Sequence, residues 1–269
     1  MSIDGASSIL KGVVLAGGFG TRLLPMTRVI NKHLLPVYDR PMVYYPLRAL
    51  ARAGIDDVLL VTGVEDSEDF ASLLGDGSEL GLSSISYAYQ EGAGGVADAL
   101  RLAEGFADHQ PIVVMLGDNL VGQAIQPIIS AFVKQLAGHN GRGAHIVLTE
   151  VDDPQRFGVV EFDNNDTIVA IREKPQQPAG HLIAIGLYLY DERVFDIIRT
   201  IKPSARGELE ITDVNNHYLR EGLLGWSRLE GWWSDAGTVP SLHRVCQLVA
   251  DYGANGEEPA RLRYEDDFC

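Results

Sequence analysis

The chain has 269 residues, 46% hydrophobic and 22% charged, which excludes collagen-like, disordered and disulfide-scaffold classes and leaves room for one large α/β domain or two small ones. Lys and Arg total 22 against 37 Asp and Glu, a formal net charge of −15. That field repels polyanions, so no nucleic acid partner is expected, and a phosphate site needs its own local cluster of Arg and Lys.

The first predicted elements are the strands Gly12–Ala16, Asp57–Thr62, Ile85–Gln90 and Pro111–Gly117, short β-branched runs bounded by Gly, Asp or Pro. Their continuous apolar character suits a mostly parallel sheet covered on both faces. Met42–Ala53 reads as a helix with Met42, Tyr45, Ala49, Leu50 and Ala53 on one face and Gly54 as its stop, although Pro46 disfavours its first turn. Helices are also expected over Gly95–Phe106 and Gln123–Leu136. The alternation argues for a doubly wound, Rossmann-like sheet that binds ligands beyond the carboxyl ends of its strands. Further on, Ala144–Val151, Gly158–Phe162, Ile168–Glu173 and Ile183–Tyr190 read as strands, the middle pair a hairpin across Asn164-Asn165-Asp166. Helices over Asp191–Ile201 and Leu209–Glu221, a strand over Leu224–Leu229 and a helix over Val239–Ala250 complete the reading. The charged stretch Asn255–Cys269 is expected on the surface. Cys246 and Cys269 show no metal or redox spacing, Met1–Leu10 lacks signal-peptide order, and no apolar run spans a bilayer, so a cytoplasmic protein without a membrane partner is expected.

The segment Leu15-Ala16-Gly17-Gly18-Phe19-Gly20-Thr21-Arg22-Leu23 directly follows the first predicted strand. Its glycines let backbone approach a phosphate chain, and successive N–H groups can form an anion-binding nest. No Gly-Lys-Ser/Thr follows, so it is not a Walker A loop. Leu23 stands where the dinucleotide fingerprint needs its third glycine, which argues against a nicotinamide enzyme. A Gly-rich turn is often structural only. Arg22 and downstream Lys32 shift the reading toward a triphosphate, which a fixed guanidinium beside a nest would serve. The 7 histidines show no zinc-like spacing with Cys, and no Gly-x-Ser-x-Gly elbow is present. The acidic run Glu65–Asp69 reads as a solvated face or helix start.

The pattern Gly17-Gly18-x-Gly20-Thr21-Arg22-Leu23-x-Pro25-x-Thr27, then Asn31-Lys32-His33-Leu34-Leu35-Pro36-Val37, resembles the sugar-1-phosphate nucleotidylyltransferases. Gly117-Asp118-Asn119, Phe157-Gly158-Val159-Val160, Glu173-Lys174-Pro175, Gly186-Leu187-Tyr188, Arg206-Gly207-Glu208-Leu209-Glu210-Ile211-Thr212-Asp213 and Trp233-Ser234-Asp235-Ala236-Gly237-Thr238 continue it in order. The run Val37-Tyr38-Asp39-Arg40-Pro41-Met42 is similar to the branch that uses dTTP and glucose 1-phosphate. The resemblance covers about residues 11–240 and implies a mixed, mostly parallel sheet of the nucleotide-diphospho-sugar transferase type. It implies a nucleotide-binding half over about 11–120 and a sugar-binding half over about 121–240, within a domain of 11–254 between an extension (1–10) and a tail (255–269).

By the same resemblance, Leu15, Ala16, Gly17, Gly18, Gly20, Thr21, Arg22, Lys32, His33, Gln90, Gly95 and Asp118 bind the nucleotide. Gly158, Glu173, Lys174, Ile185, Glu208, Thr212 and Trp233 bind the sugar phosphate. Asp118 and Asp235 hold Mg²⁺ and, with Arg22 and Lys32, form the catalytic set. Taken alone, an Asp at a strand end is a cap or turn residue, Arg22 and Lys32 are solvated cations, and Trp233 stays open between the sugar face and the core. Dimers or tetramers are usual in the family. Five departures stand out: Phe19 for Ser, His33 for Gln, Asp98 for Gln, Phe157 for Tyr and Ala236 for Thr. A lost hydrogen bond costs about 0.5–1.5 kcal/mol, enough to shift substrate choice without abolishing chemistry. The expectation is an active transferase making dTDP-glucose and pyrophosphate, with UTP or another sugar 1-phosphate as the alternative. A non-catalytic binding homologue is the other, favoured by Phe19 and His33 and opposed by Asp118 and Asp235. The resemblance ends after Gly237, where longer members carry an effector site, so weak or absent feedback inhibition is expected.

Overall fold

The computed structural model describes residues 10–263. Strand β1 (Lys11–Ala16) leads through three 3-10 turns into a small hairpin, β2 (Pro36–Val37) and β3 (Arg40–Pro41). Helix α1 (Tyr44–Arg52), strand β4 (Asp57–Gly63), helix α2 (Ser67–Leu74), strand β5 (Ser84–Gln90), helices α3 (Val96–Arg101) and α4 (Glu104–Ala107) and strand β6 (Ile112–Leu116) follow. Then come β7 (Asn119–Val121), α5 (Gln126–Gly138), β8 (Ala144–Glu150), β9 (Gly158–Phe162), β10 (Ile168–Glu173), β11 (Leu182–Tyr190), α6 (Val194–Thr200), α7 (Ile211–Arg220), β12 (Leu224–Arg228), β13 (Trp233–Asp235) and α8 (Val239–Tyr252).

Among the described residues nine strands form one mixed sheet, parallel through β6, β1, β4 and β5 and antiparallel where β11 joins β6, β8 and β9. Successive residues of β1 point to opposite faces: Val14 and Ala16 enter a core with α1, α2 and α5, while Val13 and Leu15 enter one with α3, α6 and α7. Strands so covered must be apolar throughout, which is why their sequence runs without alternation. A third cluster packs α8 through Leu242, Val245 and Val249 onto Leu23, Leu35 and Met42, and so anchors the segment that follows β1.

β11 forks the sheet. One edge pairs with β9 at Ile183 and Ala184, then with β6 from Leu187 to Tyr190. Its pairing with β8 also slips between Ala184 and Tyr188. The ends of β6 and β9 diverge on either side of Ile185–Gly186, and a cleft opens between them.

Several expected boundaries move for local reasons. Gly95–Phe106 is not one helix: tight bonds from Leu102 N–H to Ala99 and Ala103 N–H to Leu100 break it into α3 and α4, with Ala103 fully buried. Pro46 is the third residue of α1, where a helix N–H has no intrahelical partner, so proline costs little there. α6 starts at Val194, not Asp191, whose buried carboxylate accepts from Gly143 N–H (2.7 Å), Arg193 N–H (3.0 Å) and Tyr218 OH (2.5 Å). α7 starts at Ile211 because Leu209 lies extended, bonded to Gly94 O at 2.8 Å and from Ala97 N–H at 3.2 Å. The acidic run 65–69 leads into α2.

The surface expected for the charged stretch is corrected at two residues: Asn255 and Ala260 are buried. Asn255 Nδ2 donates to Tyr45 O at 2.9 Å, and Glu257 accepts from Arg48 (2.5 Å) and Arg40 (3.1 Å). Among the described residues no helix is long and apolar enough to cross a membrane.

Candidate active site

The Gly-rich loop leaves β1 at the carboxyl edge of the sheet. Gly20 has φ +58°, and a Cβ there would lie 2.9 Å from Thr27 Cγ2 and 3.1 Å from Lys32 Cβ. Glycine is therefore required on grounds of both conformation and space. Thr27 Oγ1 donates to Gly20 O at 2.8 Å, and fully buried Leu23 pins the far side. Thr21 and Arg22 stay exposed; Ala16 is buried and Phe19 is 68% exposed.

Lys32 and Asp118 meet across the loop, Nζ to Oδ2 at 2.5 Å, both largely buried. Burial alone raises the Asp118 pKa, but the Lys32 ammonium and the Asn119 amide outweigh it and hold the carboxyl well below its ordinary range. His33 lies behind the pair, 1% exposed. Its Nδ1 and its backbone N–H both donate to Asn31 Oδ1 at 2.9 Å, and Asn31 Nδ2 donates to Asp66 Oδ2 at 2.6 Å. Burial, then Lys32, pushes the His33 pKa down to about 3, so the ring is neutral.

Asn119 ties this corner to the rest of the cleft. Its Nδ2 donates to Asp118 Oδ1 at 3.0 Å, while Oδ1 accepts from Gly186 N–H (2.9 Å) and Trp233 Nε1–H (2.8 Å). β7 and β13 pair Asn119 with Asp235, and Ala236 N–H donates to Asp118 O at 2.8 Å, which brings the two aspartates to one place. Arg156 Nη2 donates to Asp235 Oδ2 at 3.0 Å, and Arg22 Nη2 lies 2.9 Å from where a Gly237 Cβ would sit. Burial raises the Asp235 pKa; Arg156 pulls it down, Asp118 pushes it up again, and the net shift is upward.

At the end of β10, Glu173 Oε2 accepts from Thr212 Oγ1 at 2.5 Å, and a Cβ at Gly158 would lie 3.2 Å from that hydroxyl. Lys174 has φ +43° and donates its N–H to Phe157 O at 2.9 Å; its Nζ is 3.4 Å from Glu173 Oε1. A left-handed lysine is strained, and such strain concentrates at functional positions. Arg206 sits among Glu210 (2.8 Å), Glu208 (3.1 Å) and Glu173 (3.5 Å). Phe157 packs edge-on against Trp233, centroids 5.3 Å apart.

These residues line two adjoining cavities. One, of about 260 Å³, is bounded by Leu15, Gly17, Gly18, Lys32, His33, Gln90, Gly95, Asp118 and Glu208. The other, of about 490 Å³, is bounded by Arg22, Asp118, Arg156, Gly158, Glu173, Lys174, Ile185, Arg206, Glu208, Thr212, Trp233 and Asp235. Asp118 and Glu208 belong to both. Arg22 thus borders the second cavity and not the first, while Ala16, Gly20 and Thr21 border neither and shape the loop. Sequence reasoning did not assign Arg156, Asn119 or Arg206. Asn119 and Arg206 lie inside the recognised motifs, and Arg156 directly precedes Phe157-Gly158. Among the described residues no group of three or more His, Cys, Asp and Glu gathers as a metal cluster.

A three-layer α/β chain with a Gly-rich loop, a strand-end aspartate and a second aspartate facing it defines a phosphate-handling transferase. The nucleotidyl transferase family model matches residues 11–251, and the chain belongs to that family. Within it, the chain is 47% identical over 243 residues to the glucose-1-phosphate thymidylyltransferase of Neisseria meningitidis, covering 89% of this chain and 82% of that one. It is similar also to a solved Bacillus anthracis structure, a candidate glucose-1-phosphate thymidylyltransferase in complex with sucrose (47% identity, TM-score 0.84, 90% of this chain and 96% of that one). A UDP-glucose pyrophosphorylase complexed with UDP-glucose shares the fold at 24% identity and TM-score 0.76, covering 89% of this chain and 97% of that one. The family match extends to residue 251, within α8, beyond the resemblance read over about 11–240.

Proposed function

We propose that the chain transfers the thymidylyl group of dTTP to α-D-glucose 1-phosphate, giving dTDP-glucose and pyrophosphate. The observation that carries this reading is that a cavity under the Gly-rich loop and a cavity carrying Lys174, Arg206 and Glu173 meet at Asp118. A nucleotide in the first and a sugar phosphate in the second would bring the reacting phosphates side by side.

A sugar-phosphate oxygen attacks the α-phosphorus in line; the new P–O bond forms as the bond to the bridging oxygen breaks, and pyrophosphate carries the charge away. The protein aligns and neutralises, and performs no covalent step of its own. Lys32 and Arg22 take up charge on the leaving pyrophosphate. Lys174 and Arg206 hold the sugar phosphate. Glu173, Thr212 and the Gly158 backbone orient sugar hydroxyls, and Trp233 packs on the sugar. Gln90 and Gly95 meet the base.

Asp118 and Asp235 would hold Mg²⁺. Two hard oxygen donors, with no third His, Cys, Asp or Glu gathered beside them among the described residues, suit an ion that takes one or two carboxylates and completes its shell with phosphates and water. When bound, the ion supplies charge neutralisation at the phosphates. The same reading includes a cytoplasmic homodimer or homotetramer.

The test is pyrophosphate release with Mg²⁺ and glucose 1-phosphate, offering dTTP, UTP, CTP, GTP and ATP separately. Release with dTTP is expected. Release with another nucleotide alone changes the substrate and keeps the chemistry; silence with all five refutes transfer to glucose 1-phosphate.

A further inference from the structure

We infer that Asp98 is a positioning residue for base selection: it fixes which end of the Gln90 amide faces the nucleotide cavity, and so restricts that cavity to pyrimidines with an N–H at position 3. The inference rests on the placement of the base beside Gln90 proposed above. It concerns a residue that departs from the Gln usual in the family.

Gln90 is 8% exposed at the end of β5. Its Nε2 donates to Asp98 Oδ2 at 2.8 Å and to Gly95 O at 3.3 Å. A carboxylate and a carbonyl only accept, so Nε2 must face them and Oε1 must face away. Oε1 points toward the Gly-rich loop: a Cβ at Gly17 would lie 3.2 Å from it. Among the described residues Oε1 receives no hydrogen bond from the protein. Bare backbone at Gly17 therefore leaves an acceptor open to the cavity.

The lock is itself built. Arg101 Nη2 donates to Asp98 Oδ1 at 2.9 Å, which leaves Oδ2 for Gln90. A Cβ at Gly94 would lie 2.4 Å from Oδ2, so only glycine lets the carboxylate fold back to the amide. Thymine and uracil offer an N3–H that a fixed carbonyl oxygen accepts. Cytosine offers a bare N3, which would face that oxygen lone pair to lone pair. A free glutamine would turn to suit either.

The experiment measures Kd for dTTP, UTP and CTP with the full chain, by titration in Mg²⁺, alongside pyrophosphate release and KM for glucose 1-phosphate. Wild type is expected to prefer dTTP and UTP to CTP. Asp98→Asn should narrow the dTTP:CTP ratio at least tenfold, because Arg101, a pure donor, claims the introduced carbonyl and turns the introduced NH₂ toward Gln90. The double variant Asp98→Asn/Arg101→Ala should recover part of the ratio, since the introduced amide is then free to rotate. KM for glucose 1-phosphate should stay within twofold. Asp98→Ser, which also removes the carboxylate, is the second variant should the first fail to fold, and should narrow the ratio too. A wild type without preference, a ratio unmoved by the substitutions, or equal weakening of dTTP and CTP overturns the inference. Preferential dTTP binding without pyrophosphate release instead refutes the transfer reading and leaves the role of Asp98 measurable by Kd.

Discussion

Asn119→Asp changes one NH₂ to an oxygen in a 6% exposed side chain and leaves its volume almost unchanged. The acceptor serving Gly186 and Trp233 survives, but the donor 3.0 Å from Asp118 Oδ1 becomes a second negative charge. At an effective dielectric near 20, two charges that close repel by about 5 kcal/mol. Lys32, 2.5 Å from the other Asp118 oxygen, offsets part of this, so we expect a loss of about 3–5 kcal/mol at pH 8. Taking up one proton relieves the repulsion, at about 1.4 kcal/mol per pH unit above the ordinary Asp value, so the loss should shrink to about 1–2 kcal/mol at pH 5. The new pair has its pKa raised by folding, so its stability is lost as pH rises. Urea unfolding of wild type and variant at both pH values, without nucleotide, reads the difference. Asn119→Ala, which strands two N–H donors and adds no charge, should show a loss independent of pH. An Asn119→Asp variant within 1 kcal/mol of wild type at both pH values would refute the orientation assigned to this amide.

Arg22→Ala should lower kcat more than it weakens dTTP binding, because charge on the leaving pyrophosphate grows in the transition state; a rise in KM with kcat unchanged would contradict that role. Burial pushes the His145 pKa down to about 4 and the His33 pKa to about 3, so each stabilises the fold fully above pH 6.5 and loses that contribution as pH falls toward its folded value. For His145 the loss amounts to about 3 kcal/mol at about 1.36 per unit, and His145→Gln should roughly halve the slope of stability against pH between 6 and 4; an unchanged slope would refute the assignment. Glu257→Gln should destabilise by about 1.5–3 kcal/mol at pH 7, since it breaks charge-assisted bonds to Arg48 and Arg40. Burial raises the Glu257 pKa, but those guanidiniums bring it below the usual Glu range, so the difference in thermal melting should fade as pH falls toward 3.

The central strands were legible because burial on both faces writes an uninterrupted apolar run, and the Gly-rich loop was legible because its chemistry is local. β7 and β13, three residues each, carry no periodicity and form only because the chain crosses itself there. The same distinction divides the site. Lys32, Asp118, Lys174 and Asp235 stand in motifs, whereas the bond from Arg156 to Asp235 joins residues 79 apart and has no sequence signature. Nor does composition reveal that His33 faces inward, or that Asn255 donates to the Tyr45 carbonyl of α1 from the far end of the chain. The break between α3 and α4 was hidden because Leu102 and Ala103 are good helix formers, overruled by packing.

The fork at Ile185–Gly186 has a consequence for how such a site can change. Where β11 passes from β9 to β6, part of the wall of the second cavity is peptide backbone, and a Cβ at Gly186 would fall 2.6 Å from Leu116 Cγ. A side chain at Gly186 would require Leu116 to move, so that part of the wall resists single substitutions. Glu173 and Thr212, by contrast, line the same cavity with side chains. The lining is thus of two kinds, one held by close packing of backbone and one made of replaceable side chains, and the second can be altered one residue at a time.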